Sequence, residues 1–315
     1  MSIAHRQLAT GYYNCMWLYL GIMSACFLGF YDVSRKHALK QNATLPVLFL
    51  ATVCGALMVA PAILLSRFAP DSMHRVSLFI PPADFSTHLH VLIKAALVAA
   101  AWMLSYLAVK NLPISIVTPI GATGPVWTLI GALVIFHEHL NAMQYLGFAV
   151  MVTSYYWFST VGKKEGIIFY SNKWILCILL SAILGATSGI YDKYLLQKLS
   201  YNPLTLQAWF SIYIVPVLAI AVALLWLPNR KNSTPFVWRW SIPVIAALLL
   251  LADVLYFRAL SNPQALVSML STIRASCVVV SFVAGGLIFR ELRLSLKAIA
   301  LVGVIAGICL ILHST

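Results

Sequence analysis

The sequence predicts an all-α, polytopic membrane protein of about ten transmembrane helices, arranged as two inverted five-helix repeats. Three observations carry this expectation. Of 315 residues, 62% are hydrophobic and only 9% are charged, and the mean hydropathy of +0.91 lies outside the range of water-soluble globules. Apolar stretches of about 20 residues, the length that crosses a hydrocarbon core of about 30 Å, recur between short polar interruptions. Short motifs return in the same order in both halves. Runs such as 176–184 and 246–252 are almost continuously apolar, whereas the strands of a membrane barrel alternate in polarity, so a β-barrel is rejected.

The first span is placed at residues 13–37. It is a full span with no small-residue cleavage pattern behind it, so it is expected to stay in the mature chain. Spans follow at 45–66, 89–109, 114–136 and 141–159, completing a first repeat at 1–160. A polar linker at 161–173 leads to spans at 174–196, 203–227, 237–260, 264–289 and 295–312, which make a second repeat at 174–315. Gly29-Phe30-Tyr31-Asp32 ends the first span and Gly189-Ile190-Tyr191-Asp192 ends the sixth, at the offset that also separates Asn42 from Asn202. Tyr106 and Pro113 bracket the hinge between spans three and four, as Tyr256 and Pro263 do between spans eight and nine, and Phe136-His137-Glu138 returns as Phe289-Arg290-Glu291. An odd number of spans per repeat makes the second half enter the membrane inverted, the build that lets a cavity open alternately to either side.

Cys15, Cys26, Cys54, Cys177, Cys277 and Cys309 fall in or beside the spans without paired spacing and read as small core residues. The net charge of +13 is spread singly or in pairs between spans, which fits anchoring at membrane lipids and not a nucleic-acid surface. Trp174, Trp226, Trp238 and Trp240 sit at span ends, where tryptophan anchors at the interface.

Arg258-Ala259-Leu260, Ala265-Leu266-Val267-Ser268 and Phe289-Arg290-Glu291-Leu292, followed by a last span spaced by Gly303 and Gly307, resemble the drug/metabolite transporter superfamily, in its ten-helix EamA-like branch. The first-half version runs from Val126 to Phe136, then Glu138 and Gly147. The resemblance covers nearly the whole chain. It implies a transporter of small organic metabolites working through a central cavity without hydrolysing ATP, in the inner or plasma membrane of the cell. Asp32, Arg35, Asp253 and Arg274 stand where many relatives carry apolar or small residues, which makes a generic drug exporter less apt.

Arg274 is the sharpest site candidate, because it sits mid-way along the ninth span among Ser271, Thr272, Ser276 and Cys277. A charge there costs about 2.5 to 3.5 kcal/mol and is expected to face a cavity or a partner. Its guanidinium suits a carboxylate or phosphate of an anionic or zwitterionic substrate, or else a structural pairing with Asp253 or another acid. Asp253 is a candidate proton-coupling carboxylate or counter-charge, while Arg258, on the same helix but pointing elsewhere, reads as an interface anchor. Asp32 and Asp192, each after a tyrosine, read either as two gates closed by Tyr31 and Tyr191, with Arg35 or Lys193 as charge partners, or as interfacial charges ending a helix. Pro119, Gly121, Gly124 and Pro125 loosen span four, either to line the cavity or to allow close helix packing. Trp102 and Tyr106, one turn apart, and Tyr256 are the aromatic candidates for the binding cavity.

His137-Glu138-His139 points three ways around a helix and has no accompanying cluster, so no metal and no cofactor is expected. Glu138 and Glu291, equivalent in the repeat and each ending its span, read as residues that fix helix–loop junctions. No nucleophile elbow, paired-aspartate motif or histidine cluster supports an intramembrane enzyme, and a free channel suits a mid-membrane charge less well than a binding site does. A flippase for a lipid-linked sugar or phosphate-bearing lipid is the alternative reading. The sequence leaves open a coupling proton, a monomer or homodimer, and the orientation. Loops after odd-numbered spans hold more Lys and Arg, which puts both termini outside, whereas the resemblance implies cytoplasmic termini.

Overall fold

The computed structural model describes residues 3–111, 120, 123–160, 173–277, 279–280, 284, 302–303, 305–307 and 309–310, with most of their side chains from Met16 onward. Among these residues every regular element is helical. The first repeat gives α1 (Ile3–Leu39), α2 (Thr44–Phe68), a short α3 (Pro70–Arg75), α4 (Phe85–Asn111), α5 (Gly124–Phe136) and α6 (Ala142–Thr160). The second gives α7 (Lys173–Lys193), α8 (Pro203–Ala221), α9 (Ser241–Leu260) and α10 (Val267–Ala275). Among the described residues, six helices are long and apolar enough to cross a membrane, and two shorter apolar ones accompany them.

The span boundaries expected from hydropathy lie within a few residues of these helix ends or of the turns that extend them wherever both are described, except that α1 begins at Ile3, ten residues before the expected start of the first span. Three features were not anticipated: α3, and two wider π-helical turns, Tyr194–Lys198 after α7 and Val222–Trp226 after α8. Residues 112–119, which begin expected span four, and most of 281–312 lie outside the described residues.

Local chemistry sets the ends. Asn202 caps α8, its Oδ1 accepting from Leu204 N (2.9 Å) and Thr205 N (3.2 Å), with Pro203 at the first helical position, where its missing N–H costs nothing. Its repeat counterpart Asn42 has different work. Its Oδ1 accepts from Ala43 N and Val237 N (2.8 Å each), and its Nδ2 donates to Ala38 O (3.0 Å) and Val237 O (2.6 Å), tying the α1–α2 turn to the segment before α9.

The helix neighbours repeat across the two halves. α1 lies along α9 as α4 lies along α7; α2 packs on α9 as α8 packs on α4; α10 meets α1 as α5 meets α7; and α2 meets α8 and α5 meets α10. Exchanging α1, α2, α4 and α5 for α7, α8, α9 and α10 maps this pattern onto itself. Close approach is built in at Gly29, where a Cβ would lie 2.4 Å from Val280 Cβ and 2.9 Å from the Cys277 carbonyl oxygen. The core gathers Leu18, Val91, Leu195, Leu206, Phe257 and Leu270 at the centre of the bundle. Leu57, Leu64, Val134, Ile220 and Leu224 project outward, as lipid-facing side chains do.

Candidate transport cavity

One side of the bundle opens into a cavity of about 580 Å³, counting its open mouth, between α1, α2, α4, α8 and α9. Tyr31 and Arg35 stand near its entrance, on the side of the membrane where α1 ends. Trp102, Gln207, Ser211 and Asp253 bring an indole and three polar groups to walls otherwise formed by Val47, Leu48, Ile214 and Leu249. An apolar pocket with a few placed polar groups is the usual build of a small-molecule site.

Charge in this region is paired. Arg274 Nη2 donates to Asp253 Oδ1 at 2.7 Å, and the Arg274 guanidinium carbon stands 4.2 Å from the centroid of the Tyr256 ring. Arg274 Nε is buried without a hydrogen-bond partner among the described residues. At the mouth, Arg35 Nη2 meets Asp32 Oδ1 at 2.8 Å and lies over the Tyr31 ring at 5.2 Å, while the Cys277 thiol approaches Asp32 Oδ2 at 3.8 Å. Arg258 donates to Ser77 O (3.2 Å) at an exposed helix end, away from both pairs.

A denser polar network joins the helix ends on the opposite side. Asp192 pairs with Lys94 of α4, whose ammonium also stands over the Phe210 and Phe257 rings at 4.9 and 4.8 Å. The next residue, Lys193, pairs with Glu138 at 2.6 Å. Glu138 in turn accepts from Val267 N (2.9 Å) and Ser268 Oγ (2.6 Å), capping α10. Gln197 Nε2 reaches Leu260 O, Asn262 O and Ala265 O at 2.8, 2.8 and 3.1 Å. The Tyr191 hydroxyl donates to His90 O at 3.5 Å.

The expected charge partners need correction on this side. Lys193 does not pair with Asp192: adjacent helical side chains diverge by about 100°, so the two reach different helices and different counter-charges. Asp192 is also only 4% exposed, which places it inside the protein and not at a lipid–water boundary. Of the other candidates, Trp102, Tyr31 and Asp253 line the cavity, Tyr256 is buried under Arg274, and Asp32 stands beside the mouth. Pro119, Gly121 and the Tyr106 side chain lie outside what the structure describes. Sequence reasoning passed over Lys94 and Gln207. Both carried a signal, being single strongly polar residues inside otherwise apolar spans. Among the described residues no cluster of His, Cys, Asp or Glu has the grouping of a metal site.

A membrane-embedded helical bundle of two matching halves, with a largely apolar cavity carrying a few polar groups between them, is the build of a membrane transporter. The chain belongs to the EamA-like transporter family, whose model matches residues 15–160 and again 172–313, once for each half. A solved structure titled "Crystal structure of protein" aligns with a TM-score of 0.68 over 96% of each chain at 12% identity, a likeness of fold. No curated protein matches the sequence. The protein is thus an integral multi-pass membrane protein of the drug/metabolite transporter type, handling small molecules in a lipid environment.

Proposed function

We propose that the protein moves a small organic metabolite, an amino acid or another anionic or zwitterionic compound, by alternating access, acting as an exporter or exchanger in the cell's inner or plasma membrane. The observation that carries this reading is the one-sided cavity with ionisable groups at its mouth and its depth, set against the ion-paired network at the other end. The two repeats, 1–160 and 174–315 joined by 161–173, exchange conformations to turn the cavity from one side of the membrane to the other. Arg274 receives the anionic group of the substrate when Asp253 yields it, and Asp253 is the group on which a coupling proton acts. The Asp192 and Asp32 regions, with Tyr191 and Tyr31, act as the two gates, one closing as the other opens.

The test is exchange of labelled metabolites in proteoliposomes holding the full chain, beside Arg274→Met. Saturable exchange of an amino acid or organic acid, with affinity reduced at least tenfold in Arg274→Met, supports the reading. Equal affinity in both removes Arg274 from the site. Movement of a lipid-linked sugar across the bilayer without any exchange of soluble metabolites replaces this reading with that of a flippase.

A further inference from the structure

Among the described residues, Gln207 is a cavity-lining residue whose hydrogen bonding is left incomplete in a way that specifies a ligand group. It is 4% exposed, and its Oε1 has no partner among the described residues. The orientation of its amide is fixed by its neighbour one turn on. Ser211 Oγ donates its only proton to the Gln207 backbone oxygen, 2.9 Å away, so toward the Gln207 side chain, 3.2 Å away, the hydroxyl can only accept. The amide therefore turns Nε2 to Ser211 and leaves Oε1 as an unused acceptor. A buried acceptor without a donor costs free energy that a ligand donor recovers.

The charges at the cavity add a second constraint. Arg35 is matched by Asp32 and Asp253 by Arg274, so the pairs are neutral before a ligand enters. An ion of either sign leaves a net charge in a low-dielectric enclosure, whereas a zwitterion does not. Arg35 and Asp253 line the same cavity as Gln207, offering one group for each end of such a ligand.

We propose that the cavity takes zwitterions bearing an ammonium group, and that Gln207 Oε1, acting with Asp253, reads the ammonium, while the carboxylate meets Arg35 first and passes to Arg274 as Asp253 turns to the ammonium. This rests on the transport reading above and narrows it, excluding simple carboxylate anions as preferred cargo. The Gln207 position then sets the preference for an amine over its deaminated analogue.

The experiment measures thermal stabilisation of the purified full chain by matched triads: each of the common amino acids, its deaminated acid and its decarboxylated amine. Wild type is expected to bind at least one amino acid about tenfold or more tightly than both analogues. Gln207→Met, which keeps the shape without the acceptor, is expected to bind that amino acid and its deaminated acid within about threefold of each other. Gln207→Glu, which keeps an acceptor and adds negative charge, shifts the preference toward the decarboxylated amine. If deaminated acids bind wild type as tightly as amino acids, or Gln207→Met and Gln207→Glu discriminate as wild type does, the inference is overturned while transport of metabolites stands. If no triad member binds and a lipid-linked sugar does, both readings fall together.

Discussion

Lys94 sits beneath two aromatic rings with one carboxylate for company, and neither partner of that pair reaches water: their side chains are 3% and 5% exposed. Removing one member leaves the other charged and unmatched in a medium that solvates charge poorly. Lys94→Met is expected to lower stability by about 3 to 5 kcal/mol, seen as an earlier unfolding transition in detergent, and adding Asp192→Asn is expected to restore most of the loss. A single variant that unfolds like wild type would remove the pair from the list of structural determinants. Asp84, outside the spans, behaves differently. The Thr87 hydroxyl, and then the Thr87 backbone N–H, hold its carboxyl below the usual carboxylate range at the start of α4. A lowered folded-state pKa gives stability that is present above the ordinary carboxylate range and is lost as pH falls through the lowered value. Asp84→Ala is therefore expected to unfold more easily than wild type near neutrality, with the difference closing in acid. A gap that persists unchanged once carboxylates are protonated would contradict this origin.

Gly29 is where α1 comes closest to its neighbour, and the obstacle to a side chain is a β-branched valine together with a backbone oxygen, neither of which swings away. Gly29→Ala is expected to cost about 1 to 3 kcal/mol through overpacking, whereas Gly55→Ala, with open space around it, is expected to leave the unfolding midpoint nearly unchanged or raise it slightly. Comparing the two midpoints separates crowding from helix propensity. The helices themselves were legible in the sequence, because a bilayer demands long apolar stretches and α2, α8 and α9 supply them without ambiguity. The π turns were not, since Tyr194–Lys198 and Val222–Trp226 look like ordinary helix in composition. The repeat motif Tyr-Asp singled out Asp192. Its partner was illegible because Lys94 lies 98 residues away, and only the packing of α4 on α7 brings them together. Asn42 and Asn202 make the complementary point: position in the repeat was readable, yet one became a cap and the other a tie to a distant loop.

At the scale of the whole chain, the cavity lies toward the side where α1 ends, and the ion-paired network joins helix ends on the other side. Thr52→Cys, in the cavity wall, is expected to react with a membrane-impermeant maleimide added from the side where α1 ends. Ala265→Cys, fully buried beside Gln197 and Lys193, is expected to stay protected from both sides until substrate drives the cycle. Protection of Thr52→Cys together with ready labelling of Ala265→Cys would mean that the resting protein opens the other way.

The four ion pairs of the described bundle each unite one cation with one anion. Moving an unmatched elementary charge through a potential of 100 mV involves about 2.3 kcal/mol, but a helix that carries its counter-ion with it, or exchanges it for another, moves almost none. In the proposed transport cycle these four pairs therefore add little voltage dependence to reorientation of the unloaded protein, and a current that accompanies turnover would report largely on the charge of the cargo and its coupling ions.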